Sequence, residues 1–153
     1  MPKKTETPVS FDLAALETGD NAQLEIMDLR GEPTGLKITL AGPHSTQVKE
    51  ALRRGEQKIV RFQRRIGNPR RMNKAQEEEY NELLREIVFE RLIDTTLAWE
   101  SSDSPDKIMF GGEELACTPE NVRRVYEKVP FLKEQVQSLV ADEANFIRSS
   151  EIN

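Results

Sequence analysis

The chain of 153 residues is long enough for one domain that buries a substantial hydrophobic core. Hydrophobic residues make up 37% and charged residues 32%, which favours a globular protein with well-solvated faces and does not require disorder. The single cysteine, Cys117, excludes an internal disulfide and fits a reducing compartment such as the cytoplasm. No apolar signal-peptide core follows the N-terminus, and no apolar run approaches the roughly 18 residues of a membrane helix, so neither secretion nor membrane insertion is expected.

Charge is distributed very unevenly around the net value of −5. Residues 1–48 contain four basic and seven acidic residues. Residues 49–74 contain ten basic and two acidic residues, and residues 75–153 contain eight basic and 18 acidic residues. A strongly basic segment therefore lies between two acidic ones, and the chain is electrically polarised.

The N-terminal part predicts a short tail followed by a β-hairpin. Residues 1–20 show no sustained period, and we expect a flexible segment with one anchoring turn in the apolar patch of residues 11–16. Residues 24–29 and 36–40 alternate apolar and polar side chains, and the Gly- and Pro-containing residues 31–35 between them are typical of a turn. We therefore predict a hairpin with a five-residue loop.

The middle of the chain predicts two long helices. From Ser45 to residue 66 apolar residues return at helical spacing, and basic residues fill most of the other positions. Pro69 and the two residues before it end this helix, because proline cannot continue the backbone hydrogen bonding. Asn73 is the predicted N-cap of a longer helix over residues 74–98, which would form the spine of the core. The side chains expected to be buried along this spine include Leu84, Ile87 and Val88.

A small second hairpin is predicted after the long helix. Trp99 closes that helix, and a turn-rich acidic loop follows over residues 101–106. Residues 107–110 and 114–117 are short apolar pieces on either side of Gly111-Gly112, which is a typical tight-turn sequence.

Two more helices are predicted to complete the chain. Thr118-Pro119 supplies a capping hydroxyl and then a proline at the first helical position. Pro130 begins a last helix whose inward side chains extend to Ile147, and residues 149–153 should fray. These elements predict a helix-dominated α+β fold with an N-terminal β-hairpin, four main helices and a small second hairpin, in one domain over residues 21–148.

Residues suited to catalysis or metal binding are scarce. The one histidine, His44, lies in a predicted turn before a helix cap, and the one cysteine lies at the end of a predicted strand. Neither has the neighbours that nucleophilic catalysis or a zinc site requires, and no glycine-rich phosphate loop is present. The acidic residues around the second hairpin do not have the spacing of a calcium loop. We therefore expect no enzyme activity, no metal and no cofactor.

The basic segment is the strongest candidate for a binding site. Its cations could form a solvated face or internal ion pairs, or they could dock a protein. Contacts to nucleic-acid phosphates fit less well, because the protein is acidic and Phe62 is the only aromatic residue in the segment. Trp99 fits core packing or an interface anchor, because tryptophan is enriched in interface hot spots. The candidate partner-binding residues are Arg53, Arg54, Arg61, Arg64, Arg65, Arg70, Arg71, Trp99 and Phe110.

The order of short motifs in the second half resembles that of the tail assembly chaperones of long-tailed, siphovirus-like bacteriophages. That family has a tryptophan after a long helix, a small hairpin, a capped helix and a proline-started last helix that ends near Asn-Phe. The corresponding motifs here are Leu97-Ala98-Trp99, Thr118-Pro119-Glu120-Asn121-Val122, Pro130-Phe131-Leu132 and Asp142-Glu143-Ala144-Asn145-Phe146. The first half agrees more loosely, through its hairpin and Ile38-Thr39-Leu40-Ala41-Gly42. The basic run between residues 64 and 71 is denser than is usual in the family.

The resemblance implies an accessory protein of tail assembly in the host cell cytoplasm. It would bind the long tape measure protein in many copies, keep the apolar helical stretches of that protein soluble, and pass it to polymerising tail-tube subunits. In this family a translational frameshift often adds a second domain, and this chain would then be the short product. Two other roles stay open: a permanent virion component such as a connector or tail completion protein, and a DNA-associated accessory protein that uses residues 49–74.

Self-association is a further expectation. The basic segment of one copy could contact the acidic C-terminal half of the next, and contacts between unlike surfaces produce rings or open spirals. Because salt screens exposed charges, such association should weaken as the salt concentration rises.

Overall fold

The order of elements follows the predicted α+β plan. In the computed structural model, which describes residues 10–147, four α-helices and five β-strands form a three-stranded sheet, a separate hairpin and a layer of helices. The strands are β1 (Asn21–Met27), β2 (Pro33–Ala41), β3 (Thr96–Glu100), β4 (Lys107–Phe110) and β5 (Glu113–Ala116). The helices are α1 (Thr46–Ile66), α2 (Lys74–Thr95), α3 (Pro119–Lys128) and α4 (Pro130–Ala141). The predicted helix-dominated α+β class, with four main helices and two hairpins, is confirmed.

Helix starts follow the local capping signals. The side chains of Ser45, Asn73 and Thr118 each accept a hydrogen bond from a backbone N–H in the first turn of α1, α2 and α3. At Asn73 the cap is reciprocal, because the Gln76 side chain also accepts from the Asn73 backbone N–H at 3.0 Å. Each cap satisfies a backbone group that the helix itself leaves unpaired.

The first hairpin forms with its loop three residues earlier than predicted. β1 and β2 pair antiparallel, and the loop covers residues 28–32. The Asp28 carboxylate accepts hydrogen bonds from the backbone N–H groups of Arg30 (2.8 Å) and Glu32 (3.0 Å). Aspartate stabilises turns in this way, and the predicted loop length of five residues is right although its position is not.

A strand replaces the end of the predicted long helix. α2 ends at Thr95, and β3 follows at once and pairs antiparallel with β2, with Ile38 opposite Trp99. The prediction of a helix through residue 98 is therefore wrong, and the sheet has the order β1-β2-β3. The free edge of β2 offers backbone partners to β3, and this pairing brings Trp99 into the core.

The core lies between one face of this sheet and helices α3 and α4. Its least exposed large side chains are Ile38, Leu40, Val122, Val125, Tyr126, Val136 and Phe146. The Tyr126 hydroxyl is 2.6 Å from the Thr96 hydroxyl, so this buried polar pair is mutually satisfied. Burial raises the pKa of Tyr126 well above its ordinary value.

Only the C-terminal end of α2 belongs to this core. Leu92 and Ile93 are buried, whereas Leu84 and Ile87 are half-buried and Val88 is 39% exposed. The prediction that α2 is a buried spine over its whole length is therefore wrong. The first half of the helix packs mainly against α1, and other elements cover α2 only towards its end.

The second hairpin forms around the predicted glycine turn, with its second strand one residue earlier than predicted, and α3 begins where predicted. β4 and β5 pair with Phe110 opposite Glu113, so the turn consists of the two glycines alone. Gly111 and Gly112 have φ values of +59° and +85°, which favour glycine and match the twist of a two-residue hairpin. α3 begins at Pro119, directly after its Thr118 cap.

The last helix is shorter than predicted. α4 ends at Ala141, and Asp142 leads the chain into a 3-10 turn at Glu143–Phe146, so the helix does not extend to residue 147. The Asp142 carboxylate accepts from the Ala144 backbone N–H at 3.0 Å, which stabilises this exit. The turn places Phe146 in the core, where it is fully buried.

The N-terminal segment is held by its backbone and not by its apolar patch. A 3-10 turn forms at Leu13–Leu16, but its apolar side chains are exposed. The Gly19 N–H instead donates to the Phe146 carbonyl at 2.6 Å, and Thr18 pairs with Ile147. The flexible and frayed ends predicted for residues 1–9 and 149–153 lie outside the described residues and stay predictions.

Candidate partner-binding surfaces

Helices α1 and α2 form an antiparallel hairpin whose charges pair across it. Arg54 contacts Asp94 at 2.6 Å, Lys58 contacts Glu90, and Arg65 contacts Glu79. From one pair to the next the residue number increases on α1 and decreases on α2, as antiparallel packing requires. Part of the basic segment therefore consists of internal ion-pair partners, which is one of the alternatives that the sequence leaves open.

The two helices pack closely at Gly55. A Cβ atom at this position would lie 2.8 Å from Ile87 Cγ2, so a larger residue would push the helices apart. Further along the hairpin Phe62 is buried against Tyr80, with 5.4 Å between the ring centroids. The contact at Gly55 thus sets the helix spacing that lets the Lys58 and Arg54 pairs form.

Arg53 belongs to a local pair within α1. Its guanidinium is bonded to the Glu50 carboxylate one turn earlier, and this contact lowers the pKa of Glu50 and raises the pKa of Arg53. Both groups are exposed, so solvent screens the pair. Arg53 and Arg54 therefore have partners inside their own chain.

Four of the predicted arginines form no ion pair within the described part of the chain. Arg61 and Arg64 lie on the last turns of α1, and Arg70 and Arg71 lie on the connection to α2. All four side chains are exposed. We call this end of the α1–α2 hairpin, residues 61–74, the hairpin tip. In residues 10–147 the charges of these four arginines are not paired with a carboxylate.

An open apolar groove lies beside the hairpin tip. It has a volume of about 560 Å³, and we call it the tip groove. Phe62 and Leu83 supply its apolar surface, and the Arg65 guanidinium lies 5.2 Å from the centre of the Phe62 ring. The charged side chains around it are Lys58, Arg61, Arg65, Glu79 and Glu82.

The two predicted aromatic anchors are not on this surface. Trp99 is 2% exposed and its Nε1–H donates to the Leu115 carbonyl at 2.9 Å, so the interface-anchor interpretation is wrong and core packing is right. The strand pairing of β3 turns this side chain inward. Phe110 is half-buried on β4, and the Arg124 guanidinium lies 5.6 Å from its ring centre. Trp99 and Phe110 therefore lie on strands, whereas the predicted arginines lie on α1 and on its connection to α2.

A second groove, between α2 and α4, was not predicted from the sequence. Two neighbouring depressions of about 310 and 180 Å³ share Val88 and Gln137 in their linings, and we call the pair the α2–α4 groove. Its apolar lining comes from Leu84, Val88, Phe89, Leu92 and Val140. The charged residues that line it are Arg85, Arg91 and Lys133. A signal for this groove was present in the sequence, because α2 carries apolar side chains on more than one side.

Cationic side chains also cover the junction of α2 with α3 and α4. The Arg123 guanidinium and the Lys133 ammonium lie 5.0 and 5.4 Å from the centre of the Phe89 ring. Arg123 is hydrogen bonded to Glu86 at 2.9 Å, which is the main reason why its pKa is raised. These contacts fix α3 and α4 against α2, and Phe89 and Lys133 also line the α2–α4 groove.

The residues considered for catalysis lie in different parts of the fold, before α1 and after β5. His44 is exposed in the turn before α1, and Cys117 is partly buried after β5, where burial raises the pKa of its thiol to about 11. In residues 10–147 no three histidine, cysteine, aspartate or glutamate side chains lie together as metal ligands would. Within the same residues, every helix is too short or too polar to cross a membrane.

Comparisons of the chain with protein-family models, curated protein sequences and solved structures find no match.

Proposed function

We propose that this protein is a binding protein that keeps an elongated helical partner soluble, in the manner of a phage tail assembly chaperone acting on a tape measure protein. The observation that carries the proposal is the hairpin tip, which carries four exposed arginines without an acidic partner in the described chain. One of these arginines, Arg61, lines an apolar groove of about 560 Å³. The family resemblance suggests the class of partner, and the arrangement of groove and arginines suggests which surface binds it.

Apolar surface and unpaired arginines together suit a helical protein partner. The groove would accept apolar side chains of a client helix, which otherwise drive aggregation of a long helical protein. Arginines beside the groove would pair with client carboxylates or with the carbonyl end of a client helix. Arginine and aromatic residues are enriched in protein interfaces for the same reasons.

Co-expression tests the proposal directly. The full chain would be expressed with the tape measure protein of the same phage, and the soluble fraction of the latter would be measured with and without it. The tip variant reverses four charges: Arg61→Glu, Arg64→Glu, Arg70→Glu and Arg71→Glu. A control variant makes an equal change in net charge elsewhere on exposed side chains: Arg30→Glu, Lys37→Glu, Lys49→Glu and Lys128→Glu.

We expect the wild-type chain and the control variant to keep the client soluble and the tip variant to lose this effect. Circular dichroism should show the same helix content for all three chains, because the reversed residues are exposed. An insoluble client in every case, or equal rescue by the tip variant, would contradict the proposal.

The unneutralised tip also favours nucleic acid as a second candidate. Phosphates would pair with the same four arginines, and binding would fall steeply with salt. A gel-shift titration with duplex DNA at several salt concentrations would decide between the two. The chaperone proposal predicts no complex at physiological salt. Tight binding that the tip variant loses would favour the DNA-associated role instead.

A further inference from the structure

The N-terminal turn, which we define as residues 11–17, exposes large apolar side chains that residues 10–147 leave uncovered. Phe11, Leu13 and Leu16 are 67%, 73% and 58% exposed, and no residue of the 3-10 turn is buried. The turn itself is ordered by the Asp12 carboxylate, which accepts from the Ala14 backbone N–H at 3.0 Å. Exposed apolar side chains grouped in this way mark a contact site on a protein surface.

The same segment is uniformly acidic. Residues 10–20 contain Asp12, Glu17 and Asp20 and no basic residue. The N-terminal turn therefore offers apolar side chains with negative charges on both sides of them.

The α2–α4 groove has the complementary character. Leu84, Val88 and Val140 contribute apolar surface, and the charged residues in its lining are all cations, although the protein as a whole is acidic. Of these cations, Arg85 has an exposed partner, Glu82, at 3.5 Å. The groove follows α2 from Leu84 to Thr95, a distance of ~16 Å at the rise of an α-helix. The seven residues of the N-terminal turn measure ~10–14 Å in a helical or 3-10 conformation, so the turn is short enough to fit along the groove.

We propose that the N-terminal turn of one copy docks in the α2–α4 groove of a second copy. Leu13 and Leu16 would cover the exposed apolar surface at Val88. The carboxylates of Asp12 and Asp20 would face the cations of the groove, Arg85, Arg91 and Lys133. Each copy has one turn and one groove, so the contact joins unlike surfaces and copies can add to one another. The inference goes beyond the proposed function, since it uses a surface other than the tip groove.

Sedimentation velocity of the full chain over a concentration series tests this contact. The turn variant is Leu13→Asp with Leu16→Asp, and the groove variant is Val88→Glu. Matched controls place the same kinds of change on other exposed apolar positions, Leu29→Asp on the first hairpin loop and Val60→Glu on α1. The wild type and both controls should associate, and each test variant should associate about tenfold more weakly or not at all.

Mixing the two test variants gives the most selective result. The turn variant keeps an intact groove and the groove variant keeps an intact turn, so an equimolar mixture should form dimers that neither variant forms alone. Such rescue also shows that both variants are folded.

Three results would overturn the inference. They are a wild type that stays monomeric at every concentration, test variants that associate as the controls do, and a mixture without dimers. If the tip variant were the only variant that failed to associate, the contact would instead lie between the basic hairpin tip and an acidic surface.

Discussion

The sheet with α3 and α4 buries its side chains far more completely than the half of the α1–α2 hairpin that is remote from it. Ile38, Val136 and Phe146 have no exposed surface, whereas Phe62 is the only buried side chain in residues 56–66 and 74–86. The ion pairs across the hairpin join largely exposed side chains, and such pairs contribute little to stability. One aromatic pair, in which Phe62 is buried against Tyr80, adds to them. The sheet region therefore supplies most of the stability, and the remote half of the hairpin supplies accessible surface.

Core truncation should give the largest effect and the clearest contrast between the two regions. Phe146→Ala removes a fully buried ring and should lower the free energy of unfolding by about 3–5 kcal/mol, through lost transfer energy and a cavity. Leu84→Ala on half-buried α2 should cost about 1 kcal/mol. Urea unfolding midpoints would compare the stabilities of the two variants. Equal losses of unfolding free energy would show that the hairpin is as well packed as the core.

The close helix contact should give an intermediate effect. Gly55→Ala brings Cβ to 2.8 Å from Ile87 Cγ2, an overpacking that costs about 1–3 kcal/mol and is partly offset by ~1 kcal/mol of helix propensity. If the clash is the cause, Gly55→Ala should be less destabilising, or stabilising, in an Ile87→Ala background. Urea unfolding of the four chains of this double-mutant cycle would measure the coupling. Additive changes would mean that the two helices do not approach as closely as described.

Ion-pair removal should give the smallest effect. Arg54→Gln and Lys58→Gln each break one cross-helix pair, and each should lower the free energy of unfolding by less than about 1 kcal/mol. The same unfolding experiment at low and high salt should show the difference shrinking as the salt concentration rises. A loss of several kcal/mol would mean that these charges hold the hairpin together.

Features of the fold that depend on local sequence could be predicted, and those that depend on distant contacts could not. Capping at Ser45, Asn73 and Thr118 is decided within one helical turn, so three helix starts were predicted correctly. β3 was missed because Leu97 continues the apolar spacing of α2, and the strand depends on the free edge of β2. Phe146 was not expected in the core, since the turn after α4 is needed to bring it there.

The candidate surfaces show the same limit. The sequence identifies the arginines, but it does not show that Arg54 and Arg65 face carboxylates of α2 while Arg61 and Arg64 face solvent. Which arginines face α2 depends on how α1 is rotated about its own axis when it packs against α2. The α2–α4 groove depends on where α4 packs, which no periodicity in α2 alone specifies.

Native-state hydrogen exchange of the full chain tests the central contrast most directly, because it reports the opening free energy of each segment. We predict that backbone amides of β2 and α3 exchange only through global unfolding. Amides in residues 56–66 and 74–86 should exchange through local openings of much lower free energy. Equal protection of the two regions, with the same response to denaturant, would contradict the account.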